Sequence, residues 1–150
     1  VFPYINNYMK DAYTEVLFDA VKETSVKSGY DLPEPIEAYV VMLLTSYVEK
    51  PDFLPEEGFG PTLFRIKHFS QAKDLADTCL FVAGVFPTMG NRKGISRRYY
   101  QDIGSTSYEM VAEALNPELF NTLAKHFIFL SDFIEVTVNT SKHLPNNLFR

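Results

Sequence analysis

"QAKDLADTCLFVAGVFP", residues 71–87, decides how this chain is read. Ala72, Leu75, Ala76, Cys79, Leu80, Ala83 and Phe86 recur at three- and four-residue steps. That spacing places them on one face of a helix, the face turned to a core. Gly84 stands near the end of the pattern and Pro87 closes it. A helix is therefore expected over about residues 70–86.

Reading outward from this segment, the same spacing returns on both sides. Ile5, Tyr8, Met9, Ala12, Tyr13, Val16, Leu17, Ala20 and Val21 predict a helix near 7–28. Gly29 is placed to stop it in a left-handed conformation. Pro35 suits the first turn of a second helix near 35–49. Its stripe is Ile36, Tyr39, Val40, Leu43, Leu44, Tyr47 and Val48; Val41 and Met42 widen it and suggest burial on more than one side. Pro51 ends that helix, and "PDFLPEEGFGPT", residues 51–62, reads as a loop, with Gly60-Pro61 starting a short turn.

Towards the C-terminus, Ser96 is placed to cap a helix near 97–115, whose face is Tyr99, Tyr100, Ile103, Tyr108, Val111, Ala112 and Leu115. "NPEL", residues 116–119, is a start signal: Asn116 as cap, Pro117 in the first turn, Glu118 near the positive helix end. Leu119, Phe120, Leu123, Phe127, Leu130, Ile134 and Val138 carry a last helix over 117–139. No alternating strand pattern, repeat or interdomain linker interrupts this. The expected fold is one all-α domain, residues 1–150, a bundle of about five helices.

The totals agree with a packed domain. Of 150 residues, 46% are hydrophobic and 15% aromatic, too rich for a disordered chain. Cys79 is the single cysteine, so an intramolecular disulfide is excluded and a reducing cytosol is indicated. No apolar run approaches a membrane span, so no membrane partner is expected. "VFPYINNYMKDAY", residues 1–13, lacks a basic segment followed by an apolar stretch and is not read as a signal peptide. It also lacks an initiator Met, which reads as a trimmed start.

Motifs that would carry chemistry mostly fail on spacing. A phosphate loop needs backbone amides and a Lys converging after a strand; Gly84 and Gly90 are five residues apart internally, Asn91 follows, and no strand precedes them. A di-iron bundle needs Glu three residues before His, and His68, His126 and His143 all lack it. Asp74 and Asp77 share a helical face but are only two carboxylates. Cys79 lies on the apolar stripe, where a thiol is core and not nucleophile. No catalytic residue, metal set or cofactor is assigned. Whether the chain is an enzyme stays open, with the residues leaning against it.

One local anomaly remains. Residues 1–57 hold eleven acids and four bases, whereas residues 78–101 hold four bases and no acid. Those bases are Arg92, Lys93, Arg97 and Arg98, followed by Tyr99 and Tyr100. In a chain of net charge −5, the acidic body disfavours nucleic acid and anionic membranes. A small acidic ligand could use Arg92, Lys93, Arg97, Arg98 and Tyr99, because a helix N-terminus favours anions and Arg offers a bidentate fork. The competing and preferred reading is structural: Arg98 can pair with Asp102 at i,i+4, Tyr100 sits on the core stripe, and the acidic N-terminal half offers further partners.

Gly104 carries two readings too. A neighbouring helix packs closely on it and the helix runs through, which is preferred. Alternatively it breaks the helix, and Thr106 with Glu109 caps a second one.

"LFVAGVFP", the basic loop, "RRYYQDIG" and then Tyr108 resemble a motif set of an uncharacterised family of small all-helical bacterial proteins, over residues 75–112. The resemblance implies a bacterial, cytosolic, all-helical protein and no particular activity. Gly84, Phe86, Pro87, Tyr99, Tyr100 and Gly104 would then form a helix junction. The functional expectation is a noncatalytic interaction or regulatory module, with a protein partner or a second copy, against the alternative of a small-anion or nucleotide-binding protein.

Overall fold

The computed structural model describes residues 3–48, 50, 52–55 and 58–149, with side chains from residue 12 onward. The side chains of the expected stripe positions Ile5, Tyr8 and Met9, and the expected stop at Pro51, lie outside what is described. What is described is all helix, turn and loop, with no strand among the described residues. The helices are α1 (Pro3–Ser28), α2 (Glu34–Tyr47), α3 (Phe59–Phe64), α4 (Phe69–Val85), α5 (Arg97–Ala112), α6 (Pro117–Lys125) and α7 (Phe127–Thr140), with a 3-10 turn over Asn91–Lys93. The all-α class stands. Among the described residues there are seven helices, which corrects the expectation of about five.

The two extra helices have distinct origins. α3 is a six-residue helix in which Phe59 is the buried residue, too short to print a periodic stripe. The expected 117–139 helix is two, parted at His126, whose φ of −104° and ψ of 21° depart from helical values. No Gly or Pro marks that break, and the apolar spacing runs straight across it. The expected 97–115 helix also stops sooner, at Ala112.

The chain divides into two compact units, residues 1–51 with 136–150, and residues 52–135. In the first, Leu17, Ala20 and Val21 of α1 and Val40 and Leu44 of α2 are fully buried or nearly so. Gly29 ends α1 at φ 69°, and the Tyr30 N–H returns to the Ser25 carbonyl at 3.2 Å, closing the helix as its sequence position predicts. Pro35 lies in the first turn of α2 with Glu34 and Glu37. Val41 is buried, but Met42 is 69% exposed, so the expectation of burial on two sides is corrected. The Thr24 and Thr137 hydroxyls share a buried hydrogen bond of 2.7 Å. Glu23 gathers the C-terminal segment, accepting from the Lys142 N–H at 3.1 Å and the Ser141 hydroxyl at 3.3 Å.

In the second unit, Leu75, Ala76, Cys79 and Leu80 of α4 are buried as the opening stretch requires. His68 begins that helix in a capping box: its Nδ1 accepts from the Ser70 N–H at 3.2 Å, and Gln71 Oε1 accepts from the His68 N–H at 3.2 Å. Asn116 caps α6 through the Leu119 N–H at 3.3 Å. Ser96 stands at the N-cap of α5, but its side chain makes no capping bond, contrary to expectation. α5 is continuous through Gly104. A Cβ there would overlap the Phe127 ring and come within 2.8 Å of the Cys79 Cβ, so the residue serves close helix packing and not a break.

Candidate functional site

The stretch from Pro87 to Tyr100 contains every residue singled out as a ligand group. After α4 the chain makes a tight series of turns. The Met89 N–H bonds the Phe86 carbonyl at 3.0 Å, and the Lys93 and Ile95 N–H groups both reach the Gly90 carbonyl, at 3.0 and 2.9 Å. Gly94 closes the 3-10 turn at φ 71°, a conformation glycine adopts without steric cost. Arg92 and Lys93 ride on this turn, exposed, with no ion-pair partner among the described residues.

Arg97, Arg98 and Tyr99 are turned to other work. Arg97 Nε donates to the Ala83 carbonyl at 2.8 Å. The helical partner of that carbonyl would be the N–H of residue 87, and Pro87 has none. Arg97 thus satisfies the acceptor that the proline stop orphans. Its Nη1 donates to Asp132 Oδ1 at 2.8 Å, and its Nη2 lies 3.6 Å from Glu135 Oε1, an ion pair without a hydrogen bond. These partners come from α7, not from the acidic N-terminal half, which corrects the expectation of where the arginines would pair. Arg98 donates to Asp102 Oδ1 at 2.8 Å, the expected i,i+4 pair; both ends are exposed, so it contributes little.

Tyr99 accepts the Gly60 N–H at its hydroxyl, 2.9 Å, and so holds the start of α3. Tyr100 is buried, edge-on to Phe59 at 5.0 Å, and burial pushes its hydroxyl pKa up. Phe86 stacks on Phe53 at 6.0 Å and meets Phe81 edge-on at 5.8 Å. At Gly84 a Cβ would stand 2.7 Å from the Ile134 Cβ. Gly84, Phe86, Tyr99, Tyr100 and Gly104 therefore sit at close helix or ring contacts of the second unit, and Pro87 follows the end of α4.

The groups tested for nucleophilic or acid–base work are likewise engaged. Cys79 is fully buried, and burial raises its thiol pKa far above the usual range, so little thiolate forms. Asp77 accepts from the buried Tyr108 hydroxyl at 2.7 Å and from Lys73 Nζ at 2.8 Å. Among the described residues, no group of three His, Cys, Asp or Glu is placed to hold a metal ion. No described helix is long and apolar enough to cross a membrane.

A second feature was not singled out from the sequence. Between α1 and α2 lies a groove of about 520 Å³. Phe18, Leu32, Val41 and Met42 supply its apolar lining, and Lys22, Glu34 and Glu37 its charges. Lys22 Nζ meets Glu37 Oε2 at 2.9 Å and stands 5.5 Å from the centre of the Phe18 ring. The hydrogen bond that Lys22 donates to Glu37 raises the Lys22 pKa, and the fields of Asp31 and Glu34 add to it; with three carboxylates near one ammonium the groove is acidic on balance. Phe18 is 42% exposed. The available signal was an apolar residue off the helical stripe: Phe18 follows Leu17 and belongs to no face that the spacing of α1 marks as buried.

No family model, curated protein or solved structure matches this chain.

Proposed function

We propose that this chain is a noncatalytic interaction module that binds a polypeptide in the α1–α2 groove. The observation that carries the reading is that groove itself: Phe18 and Met42 are exposed beside an ion pair, Lys22–Glu37, that lines the same cleft. Apolar anchors beside a few fixed charges are what a helical surface offers to a partner segment. The engaged state of Cys79, Asp77 and Arg97 supports it too, since each already has a structural task. The resemblance of residues 75–112 to small bacterial helical proteins suggests a bacterial cytosol as the setting.

A photoreactive phenylalanine analogue in place of Met42 tests this in extract of the source organism. A discrete crosslinked adduct is expected, and Phe18→Glu should abolish it. Crosslinking that is absent, or indifferent to Phe18, would count against the groove.

A second reading, a small-anion or nucleotide-binding protein, now rests on Arg92 and Lys93, which are exposed and unpaired among the described residues. A thermal-shift series with phosphates, nucleotides and carboxylates tests it. Binding raises the melting temperature as ligand exceeds its dissociation constant, and Arg92→Ala/Lys93→Ala should remove the shift.

A further inference from the structure

The groove and the basic loop are chemically matched. The groove carries an apolar lining and, counting Asp31 at its edge, three carboxylates to one ammonium. Lys22 already occupies Glu37, while Asp31 and Glu34 are exposed. The loop presents the reverse set: Arg92 and Lys93 exposed, Met89 36% exposed beside them, and no acid anywhere in residues 78–101. Hydrogen bonds from Met89, Asn91, Lys93, Gly94 and Ile95 hold the loop in one shape. A preordered loop loses less conformational freedom on docking than a slack one.

We propose that the occupant of the α1–α2 groove is the Thr88–Ile95 loop of a second copy of this chain. The inference rests on the reading of the groove as a polypeptide-binding surface and names its partner. Met89 lies against Phe18 and Met42, and Arg92 and Lys93 face Asp31 and Glu34. Donor and acceptor surfaces differ, so the contact is head-to-tail: each copy keeps one free loop and one free groove, and assembly extends with concentration or closes as a ring. The charges are exposed before docking, so salt weakens the contact.

Charge reversal tests this without knowledge of any other partner. Sedimentation equilibrium of the wild type at low salt should show a mean mass that rises over the micromolar range and falls to that of one chain at high salt. Arg92→Glu/Lys93→Glu alone and Asp31→Lys/Glu34→Lys alone should each remain monomeric, with helical circular dichroism retained. Mixed, they should associate, because one contributes an unaltered groove and the other an unaltered loop. Should the lysine pair unfold α2, Met42→Ser, at an exposed position, is expected to weaken assembly instead. A wild type that stays monomeric at every salt overturns the proposal, as does a mixture of folded variants that stays apart, or a variant that assembles alone like the wild type. The Met42 crosslink separates this failure from that of the wider reading. An adduct to residues 88–95 of the same chain supports both; an adduct to another polypeptide overturns self-docking and leaves the groove a binding surface; no adduct removes both.

Discussion

Arg97 Nε donates to the Ala83 carbonyl at 2.8 Å, four residues before Pro87 in the chain. The proline ends α4 and removes the N–H that would have met that carbonyl; the arginine at the start of the next helix replaces it. Removing the side chain leaves the Ala83 carbonyl and the Asp132 carboxylate without their donor and Glu135 without its ion-pair partner. Arg97→Ala should cost about 1–3 kcal/mol in urea unfolding, whereas Arg92→Ala, on the exposed turn, should change stability by no more than about 0.5 kcal/mol. Equal effects at the two positions would refute the assignment.

Gly104 sits where the Phe127 ring and Cys79 meet α5. Alanine is the better helix former by about 1 kcal/mol, yet Gly104→Ala should destabilise by about 1–3 kcal/mol because the new methyl overlaps a ring in a filled core. A thermal melt decides the sign. A variant that melts higher would show that α5 and Phe127 can draw apart freely.

The Tyr108 hydroxyl, fully buried, donates to Asp77. Tyr108→Phe keeps the ring and deletes the donor to a carboxylate, so a loss of about 1–3 kcal/mol is expected by chemical denaturation. No loss would mean that Lys73 alone satisfies Asp77.

Glu23 titrates below its usual value of 4.5, first because Lys27 donates to it, and further because the Lys142 N–H and Ser141 hydroxyl do. A carboxylate held low contributes stability above its unfolded pKa and loses it as pH falls through the folded one. Glu23→Gln should therefore be less stable than wild type near neutrality, with the difference shrinking as pH drops below about 4.5. Unfolding curves across that range check it; a difference that grows towards acid would reverse the sign.

Cys79 is buried against α5, and burial raises its thiol pKa. A thiol reagent should leave the native protein unmodified and react fully in denaturant, since the thiolate is the reactive species. Rapid native labelling would mean that α4 and α5 open readily.

The class of the fold was legible because helix periodicity is written in neighbouring residues. Residues 71–87, the Gly29 stop and the Asn116–Pro117 start all depend on side chains within one or two turns, and the structure holds them as read. What the residues did not declare depends on partners distant in sequence. His126 parts α6 from α7 without a Gly or Pro, and the buried Phe127 after it packs on Gly104, 23 residues earlier in the chain. The arginines looked alike in the string "RKGISRR", yet Arg97 answers a carbonyl 14 residues back and two carboxylates of α7, while Arg92 and Lys93 meet solvent. Met42 read as part of a widened buried stripe until the packing of α1 on α2 left it exposed beside Phe18. Local sequence determined where helices form, because their hydrogen bonds close within four residues; which faces stay open was decided only when those helices packed, since burial belongs to pairs of surfaces and not to a single one.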